Sequence, residues 1–256
     1  LPIDGDDIII DYPIAIKWDL DQSAIEPATC RIFASFSGSE VQIGLPQTNT
    51  TGTEYREYRE TNLILGAIIL RIGEGIGDGC DLLKFNAGSD PCAAEVYKTG
   101  TSRDGLYPPV LFKGTNVTNT LTVRGQSEVG VAIIPGETAV LDTWTVENGA
   151  TLKLGSGTTQ TAALKVNSGT VEINSLVDGS LTILDGAVTI NGTGNVDQLT
   201  IRGGSVVYNT SGTLGGATIV AGNGLLDFSQ DSRAKTVSSA IDIFDSECEG
   251  CENCDP

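Results

Sequence analysis

The sequence predicts an all-β protein folded as a parallel β-helix, or β-solenoid, with coils of about 18 residues. Short apolar runs that end in glycine recur between residues 141 and 228. A second series of apolar runs follows those glycines at the same period. The rest of the chain also consists of short apolar runs that end at turn residues, and it lacks the 3.6-residue period of a helix.

The first series, which we call the first track, comprises the segments TVENG, LKVNSG, LTILDG, LTIRGG and ATIVAG. Equivalent apolar positions in it are separated by 20, 17, 18 and 18 residues. These positions are Val146, Val166, Ile183, Ile201 and Ile219. Apolar and polar residues alternate within each segment, which is typical of a strand with one buried face.

The second track comprises TLKL, TVEI, AVTI, SVVY and LLDF, with separations of 19, 17, 18 and 20 residues. Its equivalent positions are Leu152, Val171, Val188, Val206 and Leu226. One such unit cannot bury its apolar face alone, whereas coils stacked about 4.8 Å apart form a continuous core. We expect a right-handed solenoid. The alternative, a sandwich of hairpins, does not require a constant period.

The chain divides into three parts by regularity. Residues 1–137 are expected to form irregular coils with decorated loops, residues 138–245 regular coils, and residues 246–256 a cysteine-rich acidic tail. We expect the coils to begin near Asp7 and to end near Phe244. The chain contains no methionine, so we also expect it to be trimmed or processed at its start.

The glycine-rich stretch RIGEGIGDGC, residues 71–80, raises the question of a ligand loop. A dinucleotide fingerprint needs G-x-G-x-x-G between a strand and a helix, and a P-loop needs Gly-Lys-Ser/Thr. Neither pattern is present, and only one imperfect copy of a calcium β-roll motif occurs. The stretch therefore predicts a wide solenoid corner. The alternative is a weak cation site formed by Glu74, Asp78 and Asp81.

Composition excludes several functions. The net charge of −18 argues against nucleic-acid binding, which needs basic side chains on phosphates. The absence of histidine excludes Ser-His-Asp and Cys-His catalytic arrangements within the chain. No apolar run is long enough to span a membrane, so no membrane insertion is expected. We predict no catalytic, cofactor-binding or metal-binding residues, and therefore no enzyme and no cofactor.

Six cysteines allow several arrangements. Cys80 and Cys92 are candidates for a disulfide that staples one corner, and Cys30 could reach a neighbouring coil. Cys248, Cys251 and Cys254 form a thiol cluster of unknown role. Its C-x-x-C-x-x-C spacing suits zinc or an iron–sulfur cluster, but the expected fourth ligand is missing, so disulfides or free thiols are favoured.

A polar insertion, GTEYREYRE, is the strongest candidate for a partner contact. Tyr55, Arg56, Tyr58 and Arg59 are residue types that are enriched at binding hot spots. The alternative is a solvated loop in which arginine and glutamate pair locally.

Residues 1–140 also carry a resemblance. The opening LPIDGDDIII, the segments WDLDQSA and IGLPQTNTTGTEYREYRETNLILGA, and then ILRIGEG, PVLFKGT and VGVAIIPGE resemble a set of β-helical surface and virion-associated proteins of planctomycetes and tailed phages. The resemblance implies a β-helical architecture and an extracellular place on a virion or cell surface. It implies no activity and no catalytic residue.

We therefore expect a non-enzymatic structural protein of an extracellular assembly, such as a phage fibre, tail-associated or head-decoration protein. Its expected partners are other subunits of that assembly, as a homo-oligomer, filament or virion, and also a host glycan. The alternative is a secreted or cell-surface β-helical adhesin or filament subunit. A glycan-cleaving β-helix enzyme is less favoured, because no pair of carboxylates stands at one position on adjacent coils.

Overall fold

The computed structural model of the chain describes residues 3–12, 25–37, 47–48, 54–55, 69–80, 83–101, 107–161, 164–175 and 179–245. All regular elements among these residues are strands. The strands are β1 (Asp7–Ile10), β2 (Thr29–Phe33), β3 (Gln47–Thr48), β4 (Glu54–Tyr55), β5 (Ile69–Glu74), β6 (Leu83–Asn86), β7 (Ala93–Val96), β8 (Val110–Lys113), β9 (Thr120–Arg124), β10 (Glu128–Val131), β11 (Ala139–Leu141), β12 (Thr143–Glu147), β13 (Thr151–Leu154), β14 (Thr158–Gln160), β15 (Leu164–Val166), β16 (Thr170–Ile173), β17 (Ser180–Ile183), β18 (Ala187–Ile190), β19 (Gln198–Ile201), β20 (Gly204–Tyr208), β21 (Thr213–Leu214), β22 (Ala217–Ala221), β23 (Gly224–Asp227), β24 (Thr236–Val237) and β25 (Ile241–Asp245).

Two long parallel sheets define the molecule. Sheet 1 has the order β1-β2-β5-β7-β9-β12-β15-β17-β19-β22-β25, and sheet 2 has the order β6-β8-β10-β13-β16-β18-β20-β23. The chain alternates between the sheets, and each strand pairs in parallel with strands of the neighbouring coils. Short parallel pairs, β11 with β14 and β21 with β24, lie between successive long strands. This arrangement is a parallel β-solenoid, as the sequence predicts.

The predicted tracks are aligned residue by residue. In sheet 1, Val146 pairs with Val166, and the ladder continues through the remaining positions of the first track. In sheet 2, Leu152 pairs with Val171, and the second track continues in the same way to Leu226. All of these side chains except those of Leu226 and Ile219 are at most 1% exposed.

The coil length differs from the expected 18 residues outside the regular region. Paired positions in sheet 1 lie 17 residues apart between Leu164 and Leu181, but 27 apart between Ala94 and Leu121. The average length of a coil is about 22 residues. A connection between strands lies outside the ladder, so it lengthens at little cost and leaves the paired strands in register.

The same apolar column continues into the first half. Sheet 1 runs without interruption past residue 137, so the two expected parts of the chain share one stack. The upstream members of the column are Ile10, Ile32, Ile72, Val96 and Val123. Among the described residues, the first strand begins at Asp7 and the last ends at Asp245.

Glycines form the tight corner between the two sheets. A Cβ added to Gly169, Gly186 or Gly204 would lie 2.2–2.3 Å from a carbonyl oxygen of the preceding coil. All three residues have positive φ angles. Glycine is required here because successive backbones approach too closely for a side chain.

The stretch of residues 71–80 is a corner, as predicted. It leaves sheet 1 at the end of β5, and Cys80 then forms a parallel bridge with Thr99 of the next coil. Gly73 has a φ of +79°, and an added Cβ would lie 1.9 Å from the Lys98 carbonyl oxygen. An added Cβ at Gly77 would lie 2.2 Å from the carbonyl oxygen of Ala34 in the preceding coil. The glycines of this stretch therefore allow neighbouring coils to stack closely.

Candidate functional site

A row of charged side chains crosses five consecutive strands on the outer face of sheet 1; we call it the charged ladder. Its members are Arg31, Arg71, Glu74, Glu95, Arg124 and Glu147. The Nε of Arg31 lies 2.7 Å from Glu74 Oε2, and the Nε of Arg71 lies 3.0 Å from Glu95 Oε2. Each of these ion pairs joins one coil to the next.

Arg124 continues the charged ladder toward the regular coils. Its guanidinium lies 3.4 Å from Glu95 and 3.1 Å from Glu147, and it stacks 5.3 Å above the ring centre of Tyr97. The Tyr97 hydroxyl donates a hydrogen bond to Glu95 at 2.7 Å. Burial and this hydrogen bond raise the pKa of Tyr97 above its usual value. The carboxylates of the charged ladder are thus bound by cations of neighbouring coils.

A polar groove with a volume of about 940 Å³ lies along the corner between the two sheets. Five consecutive coils contribute to it. Its lining residues are Ser37, Asp78, Gly79, Lys98, Thr99, Gly100, Thr101, Gly125, Gln126, Ser127, Glu128, Gly149 and Thr151. The lining therefore combines hydroxyl, carboxylate, amide and ammonium groups with four glycines.

Several charged and polar groups of the groove are already paired. Lys98 Nζ donates to the Gly77 carbonyl oxygen at 2.6 Å. Glu128 forms an ion pair with Lys153 at 2.7 Å, and its backbone N–H donates to Thr99 Oγ1 at 2.9 Å. Ser127 differs from these groups: it is 5% exposed, and its hydroxyl has no hydrogen-bond partner among the described residues.

The C-terminal end of the described stack is open. β25 pairs with β22 on one side, and no described strand lies on its other side. Ile241, Ile243 and Phe244 of this strand are 38%, 68% and 58% exposed. Ile243 occupies the position that is buried in the preceding coils, as its pairing with Ile219 shows.

The three described cysteines are buried in the core. Cys92 is a free thiol, so the expected bridge between Cys80 and Cys92 is not formed in this structure. The Sγ of Cys80 lies 3.2 Å from the carbonyl oxygen of Phe33, toward an earlier coil. Burial raises the pKa of both Cys30 and Cys92 to about 12, and the neighbouring Cys92 adds to the shift at Cys30.

Most of the predicted partner loop lies outside the described residues. Tyr55 belongs to β4, which pairs antiparallel with β3 through Gln47. Arg56, Tyr58 and Arg59 lie outside the described ranges, and so does the cluster of Cys248, Cys251 and Cys254. Their predicted roles stay predictions.

Glu74, the first residue of the alternative cation site, is bound to Arg31 in the charged ladder. Asp78 lines the polar groove, and Asp81 lies outside the described residues. Within the described ranges, no group of three or more Cys, Asp or Glu side chains is arranged to hold a metal ion. In the same ranges, no helix is long and apolar enough to cross a membrane.

The charged ladder was not predicted from the sequence, although a signal for it exists. Arg124 and Glu147 each follow directly after the inward valine of their strand, so aligned tracks place opposite charges side by side. The groove has no comparable signal, because its lining residues come from corners whose lengths differ.

Comparison of the chain with protein-family models, with curated proteins and with solved structures gives no significant match. The resemblance of residues 1–140 to surface and virion-associated proteins therefore stays a prediction.

Proposed function

We propose that this protein is a non-enzymatic structural component of an extracellular assembly, and that it contacts other subunits through the open end of its solenoid. A fibre, tail-associated or head-decoration protein of a phage virion fits this role. The observation that carries the proposal is the edge strand β25, which has no partner on its outer side among the described strands and which exposes Ile243 and Phe244. A sheet edge that presents apolar side chains is a template for pairing with another chain.

The architecture supports a mechanical role. Sheet 1 joins eleven strands into one hydrogen-bonded ladder, which makes a stiff rod without a hinge between its described strands. The charged ladder adds contacts between coils on the outer face. A single ion pair that is exposed to this extent contributes little to stability. As a network, however, the ion pairs favour one pairing register between neighbouring coils.

A secreted or cell-surface adhesin is the second candidate. The polar groove favours it, because hydroxyl, amide and carboxylate groups are suited to hold a ligand rich in hydroxyl groups. The host would then be contacted along the side of the rod rather than at its end.

The variant Ile243→Lys tests the proposed contact at the end of the rod. Because Ile243 is 68% exposed, lysine should leave the fold intact while placing a charge on the pairing edge. Val117→Lys is the matched control, since Val117 is 63% exposed and lies away from that end.

Sedimentation velocity and electron microscopy provide the measurement. We expect the wild type and Val117→Lys to form the same oligomers or filaments, and Ile243→Lys to dissociate. A wild type that remains monomeric at high concentration, or an Ile243→Lys variant that assembles normally, would contradict assembly through this end.

A further inference from the structure

We propose that the partner of the open end is a second copy of this chain, whose strand β1 pairs in parallel with β25. This inference rests on the assembly proposed above and names its partner. Both strands are edges of sheet 1: among the described strands, β1 pairs only with β2, and β25 pairs only with β22. Joining the two edges extends the parallel ladder from one copy into the next, and such a head-to-tail contact repeats into a filament.

The inward side chains of the two edges are alike. Ile241 and Ile243 pair with buried residues of β22, yet they are 38% and 68% exposed. Ile8 and Ile10 are only half-buried, although the residues that pair with them in β2 are fully buried. A register that places Ile8 beside Ile241 aligns the second inward isoleucine of each edge as well. The apolar columns of sheet 1 then continue from one copy into the next, and burial of the isoleucines favours the contact.

The outward side chains select this register. In it, Asp242 lies opposite Ile9, and Phe244 lies opposite Asp11, so no two carboxylates face each other. A shift of two residues in either direction would bring Asp7 or Asp11 opposite Asp242, and like charges in that position are destabilising. A shift of one residue would turn the inward side chains of one edge outward. Ile9 and Phe244, which are 55% and 58% exposed, become diagonal neighbours across the contact.

The charge of the chain sets the salt dependence of this contact. The net charge is −18, so copies repel each other at long range, while the contact itself buries isoleucine and phenylalanine side chains. Raising sodium chloride from about 0.01 M to about 0.1 M shortens the screening length from about 30 Å to about 10 Å, so it should strengthen the association. Association of the wild type that weakens with added salt would contradict an apolar contact between acidic copies.

Substitution of Ile9 tests the β1 edge and the register together. Ile9→Asp places a carboxylate opposite Asp242 of the next copy, and the exposed position lets the fold accept it. Val117→Asp is the matched control, since Val117 is 63% exposed and lies away from both edges. In sedimentation velocity of the full chain, we expect Ile9→Asp to weaken association at least tenfold and Val117→Asp to leave it unchanged. The double variant Ile9→Asp/Asp242→Lys should restore association, and its failure to do so would refute the pairing of Ile9 with Asp242.

A mixture of two variants separates this inference from the proposed function. Ile9→Asp keeps its β25 edge and Ile243→Lys keeps its β1 edge, so an equimolar mixture should form dimers that grow no further, at a concentration where each variant alone is monomeric. If Ile9→Asp assembles like the wild type while Ile243→Lys does not, β25 contacts another surface, and the head-to-tail contact is refuted while the proposed function stands. Normal assembly of Ile243→Lys would instead contradict the proposed function itself.

Discussion

Replacement of Ile183 by alanine tests the alignment of coils on which the fold rests. Ile183 is fully buried in β17, between Val166 of the preceding coil and Ile201 of the following one. The variant removes three carbons, and at about 0.8 kcal/mol for each buried CH₂ the loss of burial amounts to about 2.4 kcal/mol. The remaining cavity raises the total cost to about 3–4 kcal/mol, since the stacked coils cannot collapse into it freely.

The neighbouring Thr182 supplies the control. It lies on the opposite face of the same strand and pairs with Lys165 and Thr200. Thr182→Ala should change the free energy of unfolding by less than about 1 kcal/mol, because it creates no internal cavity.

Urea unfolding followed by circular dichroism measures both variants, with the slope checked for a change in cooperativity. A cost below about 1 kcal/mol for Ile183→Ala, or equal costs for the two variants, would refute the alignment, because Ile183 would then not face the core.

Three further predictions follow from particular contacts. Ser127→Ala should leave the free energy of unfolding unchanged or raise it by about 1 kcal/mol, because the Ser127 hydroxyl has no hydrogen-bond partner among the described residues. Thr158→Val should lower the free energy of unfolding by about 1 kcal/mol, because the Thr158 hydroxyl donates to the Val131 carbonyl oxygen. Urea unfolding of the two variants measures both changes. Gly73→Ala should destabilise the fold by at least about 2 kcal/mol more than Gly149→Ala. The two residues have similar φ angles, +79° and +83°, but only at Gly73 does a carbonyl oxygen lie 1.9 Å from the added Cβ. Equal melting temperatures of the two variants would contradict this close approach of the backbones. The thiols of Cys30 and Cys92, with pKa values of about 12 in the folded state, keep their protons at a pH where the unfolded thiols, near 8.5, lose them. Their contribution to stability is therefore complete below pH 8.5 and declines toward pH 12, and the double variant Cys30→Ala/Cys92→Ala should lose less stability than the wild type between pH 8 and pH 11 in thermal denaturation.

The regular coils could be predicted from the sequence because their signal is local and repeated. In strands such as β13 and β16, apolar residues alternate with polar ones, and a nearly constant period places equivalent residues in register. The corner at residues 71–80 was predictable for a related reason. Its glycines match no ligand motif, and the structure shows that Gly73 and Gly77 make room for the neighbouring coils.

The remaining features depend on contacts between distant residues. Arg31 meets Glu74 across 43 positions of sequence, and the intervening connection hides their alignment. The pairing of Asn174 with Asn191, which continues to Asn209, likewise appears only when the corners are superposed. The Cys80–Cys92 bridge was a candidate staple of one corner, whereas in the structure Cys92 is a buried free thiol near Cys30.

Distances between spin labels along the outer face of sheet 1 test the solenoid most directly. Thr122 is paired through successive strands with Thr182, Thr200 and Thr218, at three, four and five strand spacings. With the three C-terminal cysteines replaced by serine, pulsed electron paramagnetic resonance should give backbone separations of about 14, 19 and 24 Å from Thr122 to these positions. Equal increments of about 4.8 Å per coil are the predicted result. Distances that fail to increase in this order, as in a sandwich of hairpins, would contradict the solenoid.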